Sequence, residues 1–127
     1  MKFLLDTHTF LWFLCGDSEL SKQARAIIEN PKYEKYVSIA SFWEISIKNS
    51  LGKLTLDIPF SELKTEATKN SFQILPITFE DTLQLSTLPF HHRAPFDRII
   101  ISQAKGNNLT LVSRDENFSP YNVNLLW

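Results

Sequence analysis

Short unbroken apolar runs alternate along this chain with longer stretches whose apolar residues recur at helical spacing, and this alternation predicts strands interleaved with helices. Lys2 to Leu5 is too apolar for a half-exposed strand and predicts a short buried one. Thr7 or Thr9 opens a helix through Leu11, Trp12, Phe13 and Leu14, which Gly16 stops. Ser21 caps a second helix, Lys22 to Glu29, and Asn30-Pro31 ends it. Tyr36 to Ile39 is a β-rich run, followed by a helix from Ser41 to Leu51 with Gly52 just past its end. Pro59 precedes a helix from Ser61 to Asn70. Phe72 to Ile77 predicts a third strand at a sheet edge, because Pro76 has no N–H to donate to a ladder. Thr78 with Asp81 makes a capping box for a helix to about Leu88. After a loop from Pro89 to Ala94, Pro95 suits the first turn of a helix to Lys105, terminated by Gly106. Thr110 to Ser113 and Val123 to Trp127 complete the set as strands.

Alternation of this kind implies an α/β sandwich around a mostly parallel sheet, in one domain spanning residues 1–127 without repeat or linker. Ten Phe, three Trp and 43% hydrophobic residues supply a packed core, while three Gly are few for an all-β chain full of tight turns. The net charge of −1 excludes global attraction to a polyanion, so such a substrate needs a local patch or a bound metal. One cysteine, Cys15, cannot make an internal disulfide, which suits a reducing compartment. No apolar run approaches the roughly 20 residues of a membrane span, and Phe3-Leu4-Leu5 is too short for a signal-peptide core. The expected location is the cytoplasm, with no membrane partner.

Acidic residues change the picture most. Asp6 closes the first apolar run, Asp115 follows the fourth strand, Asp97 opens Ile99-Ile100-Ile101, and Glu44 lies between Trp43 and Ile45. Sites in open parallel sheets form beyond the carboxyl ends of the strands. Asp6 and Asp115 each follow a strand, and Glu44 and Asp97 are expected in the first turns of helices facing the same edge. Converging carboxylates repel, and a hard divalent cation is the usual remedy. Each acid also has a plainer role. Asp6 can cap a helix, Asp97 can favour a helix dipole, Asp115 can bond its own turn, and Glu44 can pair with Lys48. Glu44 fits its plain role least, since a helix apolar almost all round should leave it partly buried.

Other candidates carry less. His91-His92 reads as loop residues within reach of a substrate, His8 as a structural histidine near Asp6, and Cys15 as core. Phe10, Trp12 and Phe13 crowd one short helix, either as core or as a groove for a partner segment. No Gly-rich phosphate loop, Ser-His-Asp elbow or Cys/His zinc spacing is present.

The segments that hold the acids resemble, in order, the motifs of the PIN-domain family. Phe3-Leu4-Leu5-Asp6-Thr7-His8 is similar to the first and Ser38-Ile39-Ala40-Ser41-Phe42-Trp43-Glu44-Ile45 to the second. His92-Arg93-Ala94-Pro95-Phe96-Asp97-Arg98 with Ile99 to Ala104 resembles the third, and Leu111-Val112-Ser113-Arg114-Asp115 the fourth. The nearest branch resembles the VapC-like toxins of bacterial toxin–antitoxin pairs. The resemblance implies a three-layer α/β/α fold and a metal-dependent endoribonuclease with Asp6, Glu44, Asp97 and Asp115 as metal ligands and catalytic acids. It also implies supporting roles for Thr7 and Ser113, an RNA substrate, a cognate antitoxin and a homodimer. Relatives often carry an acid where this chain has Ala94, which removes an accessory acidic role there.

An all-carboxylate site favours Mg²⁺ or Mn²⁺ over zinc. Arg93, Arg98, Lys48 and Lys53 are candidates for holding flanking phosphates. Two other readings compete: a non-catalytic PIN-like module that binds RNA or protein, and a receiver-like domain phosphorylated on Asp. The second wants paired acids after the first strand, where this chain has Asp6-Thr7-His8-Thr9.

Overall fold

The computed structural model describes all of residues 1–127. Strands β1 (Lys2–Leu5), β2 (Glu34–Ser38), β3 (Phe72–Leu75), β4 (Thr110–Val112) and β5 (Leu125–Leu126) form one sheet ordered β3-β2-β1-β4-β5. Every neighbouring pair is parallel. Six helices cover the sheet: α1 (Thr7–Cys15), α2 (Lys22–Glu29), α3 (Ile39–Ser50), α4 (Leu63–Lys69), α5 (Phe79–Ser86) and α6 (Pro95–Gly106). Short 3₁₀ turns precede α4 at Phe60–Glu62 and follow β4 at Glu116–Tyr121.

Successive strand residues point to opposite faces, so each strand feeds two cores. Phe3, Leu5, Val37 and Val112 pack with Phe10 of α1, Ala24 and Ile28 of α2, and Leu63 and Ala67 of α4. Leu4 and Leu111 pack on the other face with Ile99, Ile100, Ile101 and Ala104 of α6. Three layers result, as both faces of an all-parallel sheet must be covered. No helix is long and apolar enough to cross a membrane.

Several element ends differ from the sequence expectation, each for a local reason. β2 begins at Glu34, and its Lys35 is buried with Nζ donating to the Ile28 carbonyl at 2.6 Å. α3 starts at Ile39, because the Ser38 hydroxyl ends the strand and accepts the Ala40 N–H at once. Glu44 therefore lies in the second turn of α3, not the first. β3 is the edge strand, as expected, but stops at Leu75, just before Pro76. The Thr78–Asp81 capping box is formed in full and opens α5, which ends at Ser86. Helix α3 is apolar on most sides and buries Glu44, as expected, while its apolar Ile39, Trp43 and Ile47, and Leu51 just past its end, remain exposed. Cys15 is exposed at the end of α1 instead of in the core. Phe10 follows the core reading and meets the rings of Phe42 and Phe72 edge-on.

One buried amide ties the layers together. Gln103 of α6 accepts from Ser38 Oγ at the end of β2 and donates to the Pro76 carbonyl after β3 at 3.1 Å. Replacing it by leucine keeps the volume but orphans the buried Ser38 hydroxyl and frees the Pro76 carbonyl. Gln103→Leu is expected to lose about 1–3 kcal/mol in urea unfolding. Phe79→Ser, at a side chain 71% exposed, is expected to change stability by less than about 0.5 kcal/mol. A neutral Gln103→Leu would show that the network holds nothing.

Candidate active site

Chain order makes the carboxyl edge between β1 and β4 the place for a site. The chain runs outward from β1 through β2 to β3, then returns to build β4 and β5 on the other side. Such a reversal opens a crevice beyond the strand ends. The Leu5–Val112 pairing sets Asp6 beside Ser113, and Asp6 N–H reaches the Val112 carbonyl at 3.3 Å.

Asp6 fills both roles that the sequence left open. Its Oδ1 accepts the Thr9 N–H at 2.9 Å as the N-cap of α1, and its Oδ2 accepts the Ser113 hydroxyl. Burial pushes the Asp6 carboxyl above its usual range, opposed by the hydrogen bonds from Ser113 and Thr9. Ser113 Oγ also accepts the Asp115 N–H at 3.0 Å, so one hydroxyl fixes two of the acids. Thr7 is buried and donates from Oγ1 to Ser41 Oγ at 2.9 Å, which locks the start of α1 to α3.

Helix α3 carries Glu44, only 7% exposed. Lys48, one turn on, donates to Glu44 Oε2 at 2.7 Å, so the expected i,i+4 pair exists. Oε1 is buried and has no hydrogen-bond partner at all. A buried carboxylate oxygen without a donor is costly, and Lys48 satisfies only Oε2, so Oε1 is open to a further cation or donor.

Asp97 stands in the first turn of α6. Burial raises its carboxyl first, and the charges of Glu44 and Asp115 raise it further, while the His92 hydrogen bond lowers it. Asp97 thus senses two of the other acids across three separate elements. Asp115 caps the 3₁₀ turn, accepting the Asn117 N–H at 2.9 Å, so its turn role is real as well. Asp6 and Asp115 line an open cleft of about 560 Å³ with His8, Trp12, Arg114, Glu116 and Asn117. Glu44 and Asp97 are not among the residues of its wall. With the side chains as they stand, no three acidic, histidine or cysteine residues are grouped to hold one ion.

Basic residues depart furthest from expectation. Arg98 is only 4% exposed. Its guanidinium donates to the Leu88 and Pro89 carbonyls and to the Tyr121 hydroxyl, with the Phe90 ring stacked at 3.9 Å. It anchors a loop and has no open face for a phosphate. Lys48 is spent on Glu44. Arg93 is exposed in the loop before α6, and Lys53 is exposed beyond α3.

Sequence reasoning missed Arg114 and Tyr121, and it placed His92 in a loop near the substrate without its contact to Asp97. Arg114 lies in the cleft wall, its guanidinium 4.5 Å from the Trp12 ring and paired with Glu19. Its place next to Asp115 was the available signal. His92 contacts Asp97 at 3.3 Å, and Tyr121 contacts His92 at 2.7 Å. Tyr121 sits in the 3₁₀ turn, which no periodicity announces. His8 is exposed and borders the cleft instead of serving as a buried structural histidine.

Comparison with known proteins bears on the whole arrangement. No curated protein matches the sequence. Among solved structures, VapBC2 of Rickettsia felis, bound to a DNA fragment from its promoter, superposes with a TM-score of 0.72 at 15% identity, covering 100% of this chain and 99% of that one. FitAcB of Neisseria gonorrhoeae gives 0.65 at 20% identity, covering 98% and 96%. VapC20 of Mycobacterium tuberculosis, a toxin that cleaves the sarcin–ricin loop, gives 0.61 at 14% identity, covering 95% of each chain. At these identities the likeness shows a shared fold. The PIN-domain model matches residues 3–123, nearly the full chain and all four acids with it, and the protein belongs to the PIN-domain family.

Proposed function

We propose that this protein is an Mg²⁺- or Mn²⁺-dependent endoribonuclease, the toxin of a toxin–antitoxin pair. The observation that carries the reading is the buried Glu44 Oε1, without a donor, near other acids at the sheet's crevice. PIN domains are generally nucleases, and VapC20, similar in fold, cleaves an RNA loop. Asp6, Glu44, Asp97 and Asp115 would hold the cation, and their all-oxygen donor set suits a hard ion. When bound, the ion supplies Lewis-acid polarisation of the phosphate and activation of a water.

The chain's own residues do the rest. Hydrolysis adds a water oxygen to phosphorus, breaks one P–O ester bond and protonates the leaving oxygen. Both Asp6 oxygens are already held by Thr9 and Ser113, while Asp97 has one oxygen engaged by His92 and the other without a hydrogen bond. Asp97 is therefore the better placed of these two to take the proton from water. Exposed Arg93 keeps its expected place as a phosphate-holding group, and Arg114, on the cleft wall, takes the place of Arg98 and Lys48. An exposed ion pair such as Arg114–Glu19 is weak enough for a phosphate to displace. An antitoxin partner and a homodimer belong to the same proposal, supported by the apolar side chains of Trp43, Phe79 and Leu83 left exposed on α3 and α5, and of Leu51 just past α3.

A PIN-like module that binds RNA or protein without cutting it is favoured by one observation, the lack of a preassembled three-ligand group. Metal titration combined with a nuclease assay separates the two. Asp97→Asn removes like charge, so the metal-free variant should melt at or above the wild-type temperature. It should also lose RNA cleavage at least 100-fold and most of the stabilisation conferred by Mn²⁺. Cleavage at the wild-type rate by Asp97→Asn would sink the proposed site. Arg114→Ala should raise KM for a short RNA about tenfold with kcat little changed. Arg98→Ala should instead cost on the order of 2–4 kcal/mol of stability, because it orphans the buried Leu88 carbonyl and Tyr121 hydroxyl. The reverse pattern, with Arg98 governing KM and Arg114 governing stability, would restore the phosphate role to Arg98.

A further inference from the structure

The contacts around Tyr121 decide something that no heavy-atom position states directly: which nitrogen of His92 carries the proton. A phenol oxygen has one proton to give and accepts about two hydrogen bonds. Both acceptor positions on the Tyr121 oxygen are taken by groups that can only donate, the His92 backbone N–H at 3.0 Å and Arg98 Nη1 at 3.1 Å. The hydroxyl proton therefore has to go outward. Two acceptors are in range, His92 Nδ1 at 2.7 Å and the His92 carbonyl at 3.3 Å. The nearer, Nδ1, receives it. A nitrogen that accepts carries no hydrogen, so the proton of the neutral ring sits on Nε2, and Nε2 faces Asp97 Oδ2 at 3.3 Å.

We infer that Tyr121 fixes His92 in its Nε2-protonated form and that His92, so fixed, donates to Asp97 Oδ2, which holds the carboxylate in place and leaves its other oxygen free for a cation. Both are positioning residues: they act through Asp97. Imidazole and carboxylate pairs of this kind orient groups that bind metals.

The surroundings are built to hold the relay still. Tyr121 is buried, and Lys105 Nζ donates to its carbonyl at 3.0 Å. Rings of Phe118 and Tyr121 meet the imidazole edge-on at 6.3 Å and 5.3 Å. Arg98, through the Leu88 and Pro89 carbonyls, clamps the loop that leads to His92. A buried arginine that touches no acid thus has a task. It fills one acceptor position on Tyr121 and so forces the hydroxyl toward Nδ1.

The tautomer stands independently of the nuclease reading, while the benefit to metal binding rests on it, and the tests are arranged accordingly. In the metal-free wild-type protein, long-range ¹H–¹⁵N correlation spectra should show His92 Nε2 protonated and Nδ1 bare. An Nδ1-protonated ring would overturn the inference with no variant needed. Tyr121→Phe should give a mixture of tautomers, and an unchanged ring would overturn the part assigned to the hydroxyl. For Mn²⁺ affinity measured by calorimetry, His92→Gln places an amide N–H near the Nε2 position and should stay within about threefold of wild type. His92→Asn places its amide near Nδ1 and should bind about 10–100-fold more weakly. Equal losses in the two variants would overturn the donation to Asp97. A wild-type protein that binds no Mn²⁺ would overturn the metal reading and the positioning role with it, and the spectra would still report the tautomer.

Discussion

Like charge confined at the carboxyl edge of the sheet is the constraint on which the rest of the molecule depends. Burial disfavours the ionised form of Asp97 most, and the charges of Glu44 and Asp115 add to the strain. Asp6 is buried next to Ser113, and Glu44 has one oxygen that no donor reaches. Protein folds bury charge only with compensation. Here the protein supplies part of it, with a serine, a lysine, a histidine and a helix N-terminus. The remainder is what a divalent cation would provide.

Much of the interior serves to hold that edge in place. Thr7 joins α1 to α3 through Ser41, and Ser113 holds both Asp6 and the backbone of Asp115. Gln103 fastens α6 to the ends of β2 and β3. These polar ties fix the relative positions of elements that hydrophobic packing alone would leave free to slide, since apolar contact is not directional. Arg98 and Tyr121 extend the same scaffold to His92, and through it to Asp97.

The fold was legible because its signals are local and repeated. A buried run, a cap and a stop recur along the chain, and the capping box at Thr78–Asp81 and the proline at the head of α6 appear where composition puts them. Ends were less legible where one side chain does two jobs. Ser38 closes a strand and caps a helix, so α3 starts two residues earlier than its apolar pattern suggests. Topology put Asp6 and Asp115 at one edge, and both line the cleft. Glu44, however, lies a turn further along α3 than expected, and neither it nor Asp97 is in the cleft wall. Basic residues were less legible. Arg98 and Arg114 look alike in sequence, yet one is buried on backbone carbonyls and the other lines the cleft. Only tertiary contacts separate them. Tyr121 was invisible for a related reason: its partner His92 is 29 residues away and its 3₁₀ turn has no periodic signature.

The central claim is that a divalent cation completes this edge and that Glu44 Oε1 is one of its ligands. A crystal structure soaked in Mn²⁺, with anomalous scattering to locate the ion, tests it most directly. The expected result is an ion within about 2.0–2.4 Å of Glu44 Oε1 and of oxygens from Asp6, Asp97 or Asp115, with the carboxylates drawn toward it. A crevice that stays without anomalous density at saturating Mn²⁺, or an ion bound where none of these acids reaches, would contradict it.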